Sequence, residues 1–130
     1  MITHPTAAEL TEALAAIEAG PEATLAGDAR AAFIARVADN ARATLQREAA
    51  SGPGAEAAAA ERLRALLVLD GDFEALNAEL CARLADGRLA PLDPAVLAHL
   101  RASVVDQVAI DQPGYSGLAA LEAQAMRAPS

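Results

Sequence analysis

The stretch from Asp28 to Ser51, DARAAFIARVADNARATLQREAAS, is the longest part of the chain without Gly or Pro. Within it Phe33, Val37, Ala41, Leu45 and Ala49 recur every four residues, with Ile34 and Ala38 beside them. That spacing describes one face of an amphipathic helix. Arg36, Asn40 and Arg47 lie on its flank; at about 100° per residue they fall within roughly 40° of one another. A long helix with a greasy face and a polar, basic seam is the element around which the rest must pack.

The core has to be aliphatic. Hydrophobic residues make up 54% of the 130 residues, yet aromatics only 2%: Phe33, Phe73 and Tyr115. Ala-rich faces let helix axes approach closely, and Ala has the highest helix propensity. Strands would ask for β-branched and aromatic residues instead. The expected fold class is therefore all-α, one domain over residues 1–130.

Turn and cap residues divide the chain. Thr6 and Glu9 form a capping box, followed by Leu10, Leu14 and Ile17. Gly20-Pro21 stops this helix, residues 20–27 make a loop, and Asp28 caps the central helix. Ser51-Gly52-Pro53-Gly54 reads as a sharp break. A third helix then runs from about residue 55 to 69, with Leu63, Leu66, Leu67 and Val68 on more than one side and a flat patch at Ala57 to Ala60. Gly71 ends it. Asp72 caps a fourth, about Phe73 to Ala85, with Phe73, Leu76, Leu80, Cys81 and Leu84 as its stripe and Gly87 as a left-handed stop. Asp93-Pro94 opens a fifth, whose expected buried face is Val96, Leu97, Leu100, Val104 and Val108. Residues 111–117 break it, residues 118–127 add a weak last turn or helix, and the tail at 126–130 should fray. Short linkers predict a compact bundle of about five mostly antiparallel helices. On this reading Leu100 is a core residue, whose truncation to Ala would cost roughly 2–5 kcal/mol.

Several chemistries are disfavoured. The net charge of −8 argues against nucleic acid and against an anionic membrane. One cysteine and two histidines do not make a disulfide or a structural zinc site. No phosphate-binding glycine loop occurs, and no cofactor is implied. Without a basic leader or an apolar run of membrane length, a cytoplasmic protein is expected. His99, Ser103 and Asp106 share a flank of the fifth helix, but Asp106 lies seven residues, roughly 10 Å, from His99. That is too far for a hydrolase triad, and an interhelix contact is expected there. Cys81 is expected to be a buried, inert thiol.

The order of landmarks is similar to that of a known family. His4-Pro5 with Glu9-Leu10, Phe33 to Asn40 running into Arg47-Glu48, Leu63 to Leu67, Leu76-Asn77 with Leu80, and Ile110-Asp111 with Pro113 and Tyr115 follow one another as in that family. The chain, over about residues 4–117, resembles a family of small uncharacterised bacterial helical proteins classed as a domain of unknown function. Their genes are often neighbours of aminoglycoside-phosphotransferase-like kinases and acyl-CoA dehydrogenases. The resemblance implies an associated pathway and carries over no catalytic residue.

Two function classes follow as expectations. The first is an accessory or interaction protein without its own catalysis, working with a phosphotransferase-like or acyl-CoA-linked enzyme. It would bind that partner, or a second copy, through the third helix. The second is a binder of an anionic metabolite or acyl-CoA, between the central and fifth helices. There Arg36, Asn40 and Arg47 would contact the anion, since Arg presents a fork suited to phosphate or carboxylate. Tyr115 would cover the pocket. Against this, the seam residues serve as solvated or bridging side chains, and Tyr115 packs back on the bundle.

Overall fold

The computed structural model describes residues 5–20 and 28–126. His4, the loop from Pro21, the side chain of Asp28 and the tail beyond residue 126 lie outside what is described. Among the described residues the chain is all-α. Its helices are α1 (Ala7–Ala19), α2 (Asp28–Leu67), α3 (Phe73–Ala85), α4 (Pro94–Asp111) and α5 (Leu118–Met126), with no strand. The chain divides into two compact units, Met1–Ser51 and Gly52–Ser130.

The main departure from the sequence reading is α2. Helix continues through Ser51-Gly52-Pro53-Gly54, so the central and third helices are one element with Pro53 inside it. Gly87 is the glycine with positive φ among the described residues, so Gly52 and Gly54 keep right-handed geometry. A proline fixes φ near the helical value, and its flanking glycines carry no Cβ, so the backbone can bend locally around the ring. The five-helix number is kept because residues 118–126 form α5 as a helix in their own right.

In the first unit Thr6 caps α1 as expected. The Thr6 Oγ1 accepts from the Glu9 amide at 3.2 Å, and the Glu9 carboxylate accepts from the Thr6 amide at 2.6 Å. Leu14 and Ala38 are buried. Arg42 of α2 pairs with both Glu18 of α1 and Asp39 one turn back. These side chains are largely solvated, so the pairs fix geometry more than they add stability.

In the second unit the core is the cluster Leu63, Leu67, Leu76 and Leu80, with Leu66, Phe73, Leu84 and Leu89 packed against it. Ala59, Ala60, Val96 and Ile110 are also buried. Of the third-helix residues on which an interface was expected, Leu63 and Leu67 are covered inside one chain, Leu66 is half-buried and Val68 is exposed. Ala57 and Ala58 do remain exposed. Asp72 caps α3 through the Ala75 amide, and Gly87 has φ +77°, both as read from sequence. Cys81 is exposed, contrary to expectation. At 100° per residue it lies roughly 100° from the centre of the Phe73–Leu76–Leu80–Leu84 stripe, off its edge.

The end of α2 also differs. The helix stops at Leu67, and Val68, at φ 53° and 90% exposed, takes the left-handed position. A β-branched residue is strained there. The turn is held from outside. Arg83 Nη1 donates to the Leu67 carbonyl at 3.1 Å, and Arg64 Nη2 to the Gly71 carbonyl at 2.9 Å. Because Val68 buries almost nothing, Val68→Gly should raise stability by about 1 kcal/mol despite the added freedom of the unfolded chain. An unchanged or lower urea midpoint would show that the turn carries no such strain.

Candidate interaction surface and buried polar cluster

The face of α2 that the first unit buries is not the one expected. Ala38 is buried, and Ile34, Ala41 and Leu45 are half-buried, whereas Phe33 is 58% and Val37 44% exposed. On a helical wheel the covered residues centre roughly 120° from Phe33. Phe33 and Val37 therefore sit at the outer edge of the stripe, next to the seam. Arg36 and Asn40 are both exposed. Arg47 is half-buried, and its Nη2 donates to Thr44 Oγ1 at 2.9 Å. Thr44 in turn donates to the Asn40 carbonyl at 3.0 Å. The exposed part of the seam thus joins Phe33, Val37, Arg36 and Asn40 on one helix, with Arg47 half-buried at its end.

Tyr115 belongs to the second unit and is half-exposed. Its amide donates to the Gln112 carbonyl at 2.9 Å and its carbonyl accepts from the Leu118 amide at 3.0 Å, so it shapes the turn between α4 and α5. Its ring lies over Gly117, where an added Cβ would come within 2.6 Å of the ring.

Helix α4 presents two faces. Leu97, Leu100, Val104 and Val105, with Arg101, line a half-open groove of about 170 Å³ completed by Leu121 and Gln124 of α5. Of the stripe read from sequence as core, Val96 is buried, whereas Leu97, Leu100 and Val104 lie on the groove face, Leu100 42% and Val104 49% exposed. The inner face, roughly 120° away, holds Val96, His99, Ser103, Asp106 and Ile110. His99 is only 4% exposed. Asp106 accepts from Arg62 Nη2 of α2 at 3.3 Å, the interhelix contact expected at this flank. The partner, Arg62, was not legible from sequence, because 44 residues separate the two.

Burial, and after it the nearby Arg62 charge, push the His99 imidazole below its ordinary value. The sign for stability follows. The unfolded chain takes up the proton near pH 6.5, while folded His99 resists it until lower pH. Stability should be full above about pH 6.5 and fall as the pH drops from there to the folded value, by up to about 1.4 kcal/mol per pH unit. Glu9, held down by the Thr6 backbone and side chain, and Glu79, held down by Arg83, titrate below the ordinary carboxylate range. Their effects therefore lie at lower pH. Denaturant titrations between pH 7.5 and 5 on wild type and His99→Gln should show this slope in wild type only; equal slopes would remove His99 as its source.

Among the described residues no group of His, Cys, Asp and Glu could hold a metal ion. No described helix is long and apolar enough to cross a membrane. No curated protein and no solved structure matches the chain. A family model does match, over residues 24–115, a span that takes in the α2 seam, the buried cluster on α4 and Tyr115. The chain belongs to the family described as Domain of unknown function (DUF6285).

Proposed function

We propose that the protein is an interaction module that engages a partner protein through the outer face of α2. The observation that carries this reading is the exposure of Phe33 and Val37, 58% and 44%, beside Arg36. Interfaces are enriched in aromatics and Arg, and their energy concentrates on such anchors. A chain with three aromatics that leaves one mostly in water loses burial it could have used. The basic seam suits a partner with an acidic rim. The family resemblance supports a phosphotransferase-like or acyl-CoA-linked enzyme of bacterial origin as that partner.

The test is titration of the purified protein against such enzymes by calorimetry, with light scattering behind size exclusion to measure self-association. Phe33→Asp should abolish binding while leaving the unfolding midpoint near wild type, because the side chain is already mostly solvated. Binding by Phe33→Asp at wild-type affinity would refute the assignment of this face. Loss of a wild-type dimer in the same variant would identify the partner as a second copy. The alternative, an anionic metabolite or acyl-CoA held by the seam of Arg36, Asn40 and Arg47, predicts that charge removal at Arg36 and Arg47, rather than Phe33→Asp, abolishes binding of the small molecule.

A further inference from the structure

The inner face of α4 contains polar atoms that the fold itself does not satisfy. Nδ1 of His99, Oγ of Ser103 and Nε of Arg62 are all buried without a hydrogen-bond partner. His99 and Ser103 are one turn apart on the same face of α4, and Arg62 of α2 reaches that face, where Asp106, one turn further on, takes its guanidinium at 3.3 Å. Leaving one such atom unsatisfied costs about 1–3 kcal/mol, and three at the contact between α2 and α4 ask for a partner.

The chemistry of the three atoms defines that partner. Arg62 Nε–H can only donate; a neutral imidazole nitrogen can accept; a hydroxyl can do either. With the imidazole proton on Nε2, the group between them accepts from Arg62, donates to His99 and bonds Ser103 in whichever sense remains. An anion would need His99 to carry its proton on Nδ1, and Asp106 already supplies the negative charge beside Arg62. A cation is opposed by Arg62. A water molecule meets all three demands, and buried waters typically make about three such bonds.

We propose that Arg62 Nε, His99 Nδ1 and Ser103 Oγ form an internal water site between α2 and α4, with His99 as the neutral tautomer protonated on Nε2. The water completes the polar contact begun by the Arg62–Asp106 pair. It ties the Arg62 turn of α2 to the His99–Ser103 turn of α4, a directional link that the surrounding Leu and Ala side chains do not supply.

Two measurements on the full chain test this. A high-resolution crystal structure should show a water within about 3.2 Å of all three atoms. Long-range ¹H–¹⁵N spectra at neutral pH should show His99 Nδ1 unprotonated. In Ser103→Ala, which removes one oxygen and should not impair folding, the tautomer should persist. A direct Ser103 Oγ–His99 Nδ1 hydrogen bond without water, a different bound species, or a proton on Nδ1 would overturn the proposal. So would a change of tautomer in Ser103→Ala, since the hydroxyl itself would then be the partner of His99.

Discussion

Leu63→Ala should lower the stability of the protein by about 2–5 kcal/mol, the range for emptying a fully packed leucine site. Leu63 is 0% exposed and lies in the cluster with Leu67, Leu76 and Leu80, contributed by α2 and α3. The lost methyl groups leave a space that α2 and α3, joined by a short turn and held by the Asp72 cap and the Arg83–Leu67 bond, have little freedom to close. Leu100→Ala is the matched control. It removes the same atoms from a side chain that is 42% exposed, on the wall of an already open groove. Its cost should be about 1 kcal/mol or less, because much of its surface is in water and no closed cavity forms. Urea unfolding of both variants at constant m-value separates them. Equal losses would mean that the α4–α5 groove is packed as tightly as the Leu63 cluster, contrary to the arrangement described here.

Pro53→Ala should act in the opposite direction, raising stability by about 1–3 kcal/mol. A proline inside a helix removes one backbone hydrogen bond and crowds the carbonyl four residues before it. Here that carbonyl belongs to Ala49, and the helix nonetheless runs on to Leu67. Alanine restores the donor and relieves the crowding, with only a small loss from the greater freedom of the unfolded chain. If Ser51–Gly54 instead formed a true turn, Pro53→Ala would be neutral or destabilising, since proline then presets the chain reversal. Thermal unfolding followed at 222 nm distinguishes the two, and Pro53→Gly, expected to gain less than Pro53→Ala, shows whether the gain comes from helix propensity.

Helix ends were the most legible features. Thr6-Glu9, Asp72, Gly87 and Asp93-Pro94 all do what their residue types dictate, because a cap is satisfied within three residues of itself. Helix identity and the all-α class were legible for the same reason: Ala-rich periodic runs state their local preference. The Leu76–Leu80 stripe of α3 was also readable, since it meets a single apolar surface. Rotation about a helix axis was not. On α2 the buried face turned away from Phe33 and Val37, and on α4 from Leu100 and Val104, because several faces of each helix carry apolar residues and periodicity alone does not rank them. Continuity through Pro53 was hidden too, since a Gly-Pro-Gly sequence permits a break without compelling one.

What the sequence determined by itself is therefore which stretches are helical, several of the helix ends, and the acidic, aliphatic character of the chain. Tertiary structure decided which side of each helix meets water. It also decided that His99, Ser103 and Asp106 face inward toward Arg62, while a more apolar stripe lines an open groove. Caps and propensities are satisfied by neighbours in sequence. The facing of a helix is set by what residues far along the chain place against it, here an arginine 44 positions away.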